Sequence, residues 1–443
     1  MPSGQGGFII PEMHGKIEDM LDIKFIRENS ELITIAATKK RITFNVNDLL
    51  DVDTKRLALL RTVEELRSKQ NQASDSIMKA SALQRTDLIE SMKLVKEELK
   101  TKEDELEEVM KVWRTLMLAV PNIPDMSVPD GASDADNVEV RKWGGIPSFS
   151  FPVLDHIELM EKSDMVDFDR GTKTSGFRGY FLKNDGAMLE LAIWQYVMQR
   201  WQGKGFTPML VPSLVKRAAL LGTGYLPLGE DDLYKDGDDY LAGTGEVATM
   251  FYHSDEVLDR ATLPRKYIVW SPCFRKEAGS HGKDVKGLVR VHEFYKCEQV
   301  VLCEASHETS VTHHEEIARN AEEMMEELGI PYHTVINCGG DLGQGQVKKY
   351  DIEAWLPSQE KYRETHSASY FHDFQTRRLN IRYKDVNGKM EYVHSLNNTA
   401  AATPRLLIAV IENYQQADGT IKIPDVLVPF MGGKTVIGEP FRI

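Results

Sequence analysis

The feature that most constrains the fold is an apolar repeat with alternating three- and four-residue spacing, which runs from about Thr54 to Leu118. A repeat sustained over so many turns is typical of long helices that pack along a shared seam. The repeat is interrupted at residues 82–87 without proline or glycine, and Thr86 or Asp87 could cap a second helix. The sequence therefore predicts an antiparallel pair of long helices.

The two halves of this repeat differ in charge. Residues 54–86 hold seven basic and three acidic side chains, whereas residues 87–118 hold six basic and nine acidic ones. Because the whole chain has a formal net charge of −14, the basic first half stands out. It is an ordinary solvated coiled-coil surface, a dimerisation rod or a local binding site for phosphate groups. Its basic residues are Lys55, Arg56, Arg61, Arg67, Lys69, Lys79 and Arg85.

A proline-rich segment at residues 120–136 cannot continue the helix and marks a domain boundary. We expect one domain over residues 20–125 and another over residues 126–443. No apolar run reaches the length of a membrane span, and the first nineteen residues lack the apolar core of a signal peptide. The cysteines show no spacing typical of a zinc site, which favours a reducing, cytoplasmic compartment. They are Cys273, Cys297, Cys303 and Cys338.

Residues 267–302 hold two apolar runs around a glycine-rich polar loop, which predicts an antiparallel hairpin. Arg275 and Glu277 should share a face of the first strand, because strand side chains alternate. On the return strand the residues expected on one face are Arg290, Phe294 and Glu298. Two arginines, two glutamates and a ring are costly to bury without a ligand. They suit phosphate, an amine and a nucleotide base, although a solvated hairpin would carry similar charges.

Three further segments combine polar residues with regular elements. Gly186–Trp201 reads as an amphipathic helix, and a short strand that ends at Pro212 follows it. The predicted buried stripe of that helix is Leu191, Trp194, Met198 and Trp201. YRETHSAS at residues 362–369 follows a predicted strand, and residues 395–414 read as a strand, three alanines, Arg405 and an apolar helix. Each segment on its own is an ordinary structural element.

Together these segments resemble class II aminoacyl-tRNA synthetases. SPCFRKEAGS, GKD and RVHEF resemble motif 2 in its seryl-tRNA synthetase form, and SLNNTAAATPR resembles motif 3. The helix and strand before Pro212 resemble motif 1. TGE at residues 244–246 matches the family's Thr-Xaa-Glu serine loop, where the middle residue is commonly alanine, so we expect Gly245 to loosen the loop. The resemblance extends from about Met20 to Gly433.

The resemblance implies an α+β fold of the bacterial type, with a coiled-coil arm and a catalytic antiparallel sheet flanked by helices. Residues 1–19 would be an extension upstream of the usual start, disordered or left over from expression. The implied reaction activates L-serine with ATP to seryl-adenylate and transfers it to tRNA(Ser), and by family also to tRNA(Sec). The implied protein is a cytoplasmic homodimer that uses Mg²⁺, has no membrane contact and grips its tRNA with the basic first helix.

The resemblance also assigns roles to single residues. The catalytic residues would be Arg275, Glu364 and Arg405. ATP would contact Arg275, Lys276, Glu277, Arg290, Val291, Phe294, Glu364, Thr365, His366, Ser367 and Arg405. Serine would contact Thr244, Gly245, Glu246, Arg275, Glu298 and Thr399. The Mg²⁺ ligands would be Glu364 and Ser367.

Two other functions stay open at this point. One is a relative that activates serine but passes it to a carrier other than tRNA, and the intact helical arm counts against it. The other is a non-catalytic RNA-binding homologue. Such a homologue is expected to lose Arg275, Glu364 or Arg405, and the chain has all three.

Overall fold

The computed structural model describes residues 22–79, 81–278, 284 and 286–439 of the 443-residue chain, with the side chains of residues 79 and 82–84 left out. The predicted N-terminal extension at residues 1–19 and most of the hairpin tip lie outside this range. None of the helices in the described ranges is long and apolar enough to cross a membrane.

The described residues form twelve α-helices. They are α1 (Ile23–Glu28), α2 (Ser30–Lys39), α3 (Val46–Lys79), α4 (Ala82–Ala119), α5 (His156–Lys162), α6 (Phe168–Ser175), α7 (Asn184–Gly203), α8 (Arg217–Thr223), α9 (Glu246–Tyr252), α10 (His307–Glu327), α11 (Phe374–Arg378) and α12 (Arg405–Asn413).

The same residues form eighteen strands. They are β1 (Val138–Trp143), β2 (Val166–Asp167), β3 (Phe181–Leu182), β4 (Thr207–Leu210), β5 (Leu214–Lys216), β6 (Tyr234–Asp236), β7 (Asp239–Leu241), β8 (Val257–Leu258), β9 (Arg265–Phe274), β10 (Glu293–Cys303), β11 (Tyr332–Ile336), β12 (Lys348–Leu356), β13 (Lys361–His372), β14 (Arg382–Lys384), β15 (Met390–Tyr392), β16 (His394–Thr403), β17 (Ile421–Lys422) and β18 (Val436–Ile437).

The chain divides into two compact units. The first consists of residues 22–34 and Phe44–Val120, and the second of Ile35–Thr43 and residues 121–439. The segment Ile35–Thr43 therefore packs with the second unit, although the chain before and after it belongs to the first. The predicted boundary near residue 125 lies close to the later of these crossings.

The first unit is built on the antiparallel pair of α3 and α4, each over 50 Å long at about 1.5 Å per residue. Val63, Leu66 and Leu99 are buried in the seam, as the apolar repeat predicts. The predicted boundaries are wrong, because α3 spans Val46–Lys79 and α4 already begins at Ala82. Residues 82–87 instead form the first turns of α4, since Ala, Leu, Gln and Arg there are strong helix formers.

Asp53 is the polar centre of this unit. It is 1% exposed, and its carboxylate accepts hydrogen bonds from Arg27 Nη2 at 2.6 Å and Arg56 Nε at 2.9 Å. Trp113 Nε1, on the opposite helix, donates to the same carboxylate at 3.0 Å. A buried carboxylate is tolerated only when its lone pairs are satisfied in this way. Asp53 therefore ties α1, α3 and α4 together at the base of the pair.

Asp53→Ala should destabilise the first unit by about 3 kcal/mol, because it leaves two guanidinium groups and an indole N–H without their shared acceptor. Urea unfolding followed by far-ultraviolet circular dichroism measures the loss. The control is Arg67→Ala, which removes an ion pair to Glu103 at a site where the Arg67 side chain is 62% exposed. That variant should lose less than about 1 kcal/mol. Equal losses would contradict the role of Asp53.

The second unit is built on an eight-stranded sheet in the order β1-β11-β12-β13-β16-β10-β9-β4. All neighbours are antiparallel except β4 and β9, which run parallel. Helices α7, α10 and α12 pack on the sheet and share one large apolar core with it. The predicted hairpin is β9–β10, and the predicted strand and helix at residues 395–414 are β16 and α12. The α+β fold class is thus confirmed.

The buried stripe of α7 differs from the predicted one at two positions, because Met198 is only partly buried and Leu191 is exposed. Leu191 is 50% exposed, whereas Trp194 and Trp201 are buried as predicted. The fully buried line follows i+4 spacing, which keeps side chains on one helix face more closely than i+3 does here. It consists of Leu189, Ile193, Val197 and Trp201.

Candidate active site

A cleft of about 610 Å³ opens in the second unit, over the ends of β9 and β10 and the faces of β13 and β16. It brings together most of the predicted site residues, although they are up to 159 positions apart in the sequence. Those that line it are Glu246, Arg275, Glu277, Arg290, Val291, Phe294, Glu298, Glu364, Thr365, Ser367, Thr399 and Arg405. Those that do not are Thr244, Gly245, Lys276 and His366.

Arg275, Glu277 and Arg290 reach the cleft from beyond the strand ends, not from a strand face. β9 ends at Phe274 and β10 begins at Glu293, so the predicted alternation does not apply to these three residues. Glu277 adopts a left-handed backbone with φ of 55°, which turns the chain and lets its carboxylate meet Arg290 Nη1 at 2.9 Å. The prediction of one shared strand face is therefore wrong. The turn at Glu277 brings these side chains together instead.

Three guanidinium groups share the cleft. Arg275 donates to the Gly243 carbonyl at 3.3–3.4 Å, and its guanidinium carbon lies 5.3 Å from the centroid of the Phe294 ring. Arg405, at the start of α12, places Nη1 3.2 Å from the Glu364 carboxylate. With Arg290 these groups make one part of the cleft strongly positive, which favours phosphate oxygens.

A β-bulge explains why Glu364 and Ser367 both line the cleft. Residues three apart on a regular strand point to opposite faces, yet here Thr365 is an extra residue opposite Ile352 and Glu353 of β12. The segment is thus part of a bulged strand, β13. Two effects act on the pKa of Glu364. Desolvation in the cleft acts to raise it, although 46% of the side chain is exposed. Neighbouring cationic groups, Arg405 first and then Lys349 and Arg275, lower it below its usual value.

Lys296 is a cleft residue that is absent from the predicted set. It is buried, and its Nζ lies 2.7 Å from Thr244 Oγ1 and 3.0 Å from Glu298 Oε2. The Thr244 hydroxyl also donates to the same Glu298 oxygen. The signal was present in the sequence, since Lys296 lies midway between Phe294 and Glu298 on one strand and must share their face.

Glu246 begins α9 and faces the same end of the cleft. Its carboxylate accepts hydrogen bonds from Gln375 Nε2 at 2.6 Å and from the Tyr225 hydroxyl at 3.0 Å. Burial, followed by the nearby Glu298 carboxylate, raises the pKa of Glu246 to about 7. Two carboxylates and the single ammonium of Lys296 therefore leave this end of the cleft short of positive charge, which suits an amine. Neither Tyr225 nor Gln375 stands in a sequence pattern that predicts its role.

The remaining predicted residues lie just outside the cleft. Gly245 adopts ordinary helical angles, and a Cβ there would meet Ser271 Oγ at 2.9 Å and Val269 Cγ1 at 3.0 Å. The position is closely packed, and the expected loosening of the loop stays a prediction. His366 is buried next to Thr365 with a pKa lowered to about 4 by desolvation, and Lys276 Nζ lies over the Tyr234 ring.

Comparisons with known proteins found two family models and many related chains. A family model described as the tRNA synthetase class II core domain (G, H, P, S and T) matches residues 230–414, and one described as the seryl-tRNA synthetase N-terminal domain matches residues 20–124. A serine–tRNA ligase of Deinococcus radiodurans is 44% identical over 425 residues, covering 96% of this chain and 100% of its own length.

Two solved structures are similar over nearly the whole chain. The seryl-tRNA synthetase from Pyrococcus horikoshii complexed with ATP has a TM-score of 0.86 and 39% identity, with 96% of this chain and all of that chain covered. The cytoplasmic serine–tRNA ligase from Naegleria fowleri in complex with AMP has a TM-score of 0.82 and 32% identity, with 96% and 99% covered.

Glu246→Gln should change how stability depends on pH. The pKa of Glu246 in the folded state, about 7, lies above the ordinary value of 4.5, so the folded state binds this proton more tightly than the unfolded chain. Protonated Glu246 therefore adds to the free energy of unfolding. This stabilisation is fully present below pH 4.5 and is lost as the pH rises through 7, a loss on the order of 3 kcal/mol. Denaturant unfolding between pH 5 and 8 should show a shallower decline for the variant than for the parent.

The control is Glu308→Gln in the first turn of α10. Its own backbone N–H and the Ser306 hydroxyl lower the pKa of Glu308, so it titrates below this pH range. The control should therefore decline with pH as the parent does. An unchanged slope in Glu246→Gln would contradict the raised pKa.

Proposed function

This chain belongs to the seryl-tRNA synthetase family and is a serine–tRNA ligase, and from that premise we propose how its residues divide the reaction. The cleft binds ATP at its arginine-rich end and L-serine at the end that holds Glu246 and Glu298. The observation that carries this proposal is the presence of three guanidinium groups and a pair of buried carboxylates in one cleft.

In the proposed first step, the serine carboxylate attacks the α-phosphate of ATP, giving seryl-adenylate and releasing pyrophosphate. Arg275 neutralises the charge that develops on the α-phosphate, an electrostatic role that needs no proton transfer. Arg405 and Arg290 hold the terminal phosphates. Adenine lies on the Phe294 ring, and Glu277 accepts a hydrogen bond from its amino group.

Mg²⁺ fits the donor set beside these phosphates. Glu364 has a lowered pKa, so it is ionised at neutral pH, and the Thr365 bulge brings the Ser367 hydroxyl to the same cleft. These are the hard oxygen ligands that Mg²⁺ prefers, with phosphate oxygens completing its coordination. Mg²⁺ bound there would supply charge neutralisation for the phosphates.

We assign serine recognition to the opposite end. The α-ammonium of serine offsets the excess negative charge of Glu246 and Glu298, which Lys296 alone does not balance. Thr399, opposite Glu298 on β16, offers a hydroxyl partner for the substrate side chain. A buried site built for a hydroxyl disfavours alanine strongly, since its polar groups would stay unpaired. In the second step a ribose hydroxyl of the terminal adenosine takes the seryl group, mostly through positioning.

We assign tRNA capture to the basic residues of the arm. Three of them are exposed on α3, where solvent-exposed cationic groups can contact phosphates: Lys55, Arg61 and Lys69. Two others are engaged within the protein, Arg56 with Asp53 and Arg67 with Glu103. The remaining two of the predicted set are Arg85, which lies on α4, and Lys79, whose side chain is outside the described atoms.

The proposal includes a cytoplasmic homodimer. Three apolar side chains are exposed here, Met188 (48%) and Leu191 (50%) on α7 and Leu210 (75%) on β4. Their exposure suits a subunit interface formed by the motif 1 elements. The four cysteines are free and buried, as expected of a reducing compartment.

Arg275→Ala should lower serine-dependent ATP–pyrophosphate exchange on the order of a thousandfold, because the charge on the α-phosphate loses its partner. The matched control is Arg260→Ala, an exposed arginine paired with Glu304 away from the cleft. It should exchange at the parental rate. Near-normal exchange in Arg275→Ala would refute its assignment.

A charge-neutralised arm should separate adenylation from tRNA charging. Replacing three exposed basic residues of α3 should raise KM for tRNA about tenfold and reduce its salt dependence, while pyrophosphate exchange stays unchanged. The substitutions are Lys55→Gln, Arg61→Gln and Lys69→Gln.

The control carries the same charge change on α4, with Lys93→Gln, Lys96→Gln and Lys100→Gln. It should charge tRNA nearly as the parent does. Equal effects of the two triple variants would mean that the arm has no preferred basic face. Normal exchange with no charging of any serine tRNA by the parent would instead favour delivery of serine to another acceptor.

A further inference from the structure

Lys40 is a buried lysine outside the residues described so far. Burial lowers the pKa of Lys40 well below its usual value, whereas the three carbonyl acceptors around Nζ favour the ammonium form. The residue is 3% exposed, and it directly follows α2 within the segment Ile35–Thr43. Its ammonium contacts three backbone carbonyls of one loop, those of Gly343 at 3.1 Å, Gln344 at 2.8 Å and Gln346 at 2.5 Å. An ammonium has three donors, so this loop satisfies all of them.

Asn122 holds the same loop from a distant part of the sequence. Its backbone N–H donates to the Gln344 carbonyl at 2.9 Å, and its side-chain Nδ2 donates to the Gly345 carbonyl at 3.0 Å. Nδ2 also donates to the Phe371 carbonyl at the end of β13 at 2.8 Å. Every residue of loop 343–346 therefore offers its carbonyl to Lys40 or Asn122. The two residues lie just before and just after the stretch Phe44–Val120.

Loop 343–346 lines the cleft at the end that holds Glu246. Gln346 Nε2 donates to Ser369 Oγ at 2.8 Å, and Ser369 is a cleft residue two positions along β13 from Ser367. A Cβ on Gly345 would come within 2.6 Å of the Phe374 ring, so the loop packs directly against α11. The next residue of α11 is Gln375, which donates to Glu246. The loop therefore contacts α11, and α11 contacts the proposed serine ligand Glu246.

We propose that Lys40 and Asn122 are positioning residues that fix loop 343–346 as a wall of the serine end of the cleft. This inference rests on the proposed assignment of that end to serine. Lys40→Met keeps the apolar stem but removes a donor from three carbonyls. The Gln344 carbonyl keeps the Asn122 backbone N–H and the Gly343 carbonyl keeps the Gln346 backbone N–H, whereas the Gln346 carbonyl loses the donor described for it. Asn122→Ala removes the side-chain donor from the Gly345 and Phe371 carbonyls. The loop then loses its fixed position, and Gln346, Gly345 and the adjoining α11 no longer hold the pocket in its binding shape.

Steady-state pyrophosphate exchange with the full-length chain tests the proposal, with serine and ATP varied separately. Lys40→Met and Asn122→Ala should each raise KM for serine about tenfold and change KM for ATP less than twofold. The double variant should show less than the product of the two effects, because both residues act through one loop. A merely structural role would not separate the two substrates.

The control is Lys39→Met, which removes the neighbouring ammonium, at 3.7 Å from Asp130, and should leave both KM values unchanged. Should Lys40→Met fail to fold in a thermal unfolding assay, Asn122→Ala carries the test. Equal changes in both KM values, or multiplicative effects in the double variant, would overturn the proposal.

Glu298→Gln in the same assay separates this inference from the function it rests on. A raised KM for serine in Glu298→Gln, with parental values in Lys40→Met and Asn122→Ala, overturns the positioning role alone. Parental KM for serine in all three variants overturns the assignment of serine to this end, and the positioning role with it.

Discussion

This protein depends on one physical constraint, the free-energy cost of burying ionised groups away from water. The cleft gathers Arg275, Glu246, Glu298 and Lys296 on or beside a sheet whose other face is apolar core. Each charge is kept only because a neighbour offsets it or satisfies its hydrogen bonds. The imbalance that remains is chemically informative. An arginine-rich end favours phosphate, and a carboxylate-rich end favours an amine, so one cleft can hold two substrates in a fixed order.

The sheet achieves this grouping through irregularities. The extra residue Thr365 in β13 brings Glu364 onto the face of Ser367, and the extra residue Ala400 in β16 sets Thr399 opposite Glu298. Without the bulge in β13, strand alternation would place Glu364 and Ser367 on opposite faces of the sheet. Arg275 and Arg290 lie outside the strands, between the end of β9 and the start of β10.

Much of the fold follows from sequence patterns that reflect local geometry. The heptad spacing predicts α3 and α4, and the paired apolar runs predict β9–β10, because burial dictates both periods. Helix ends were harder, since nothing in residues 82–87 opposes helix formation. In the site, the place of Lys296 in the cleft can be predicted from its position between Phe294 and Glu298 on one strand. The roles of Tyr225 and Gln375 are not predictable in this way. Tyr225 follows α8 and Gln375 lies on α11, and their approach to Glu246 depends on how distant elements pack, which no local spacing encodes.

The segment Ile35–Thr43 has a consequence for modularity. Ile42 lines the cleft and Lys40 caps its loop, although both precede the arm in the chain. The arm is therefore an excursion from within the catalytic body and not an appendage at its end. A fragment that starts at Pro121 would lack part of its own binding wall. A deletion that removes α3 and α4 but keeps this wall therefore has to be internal, joining residue 43 to residue 121.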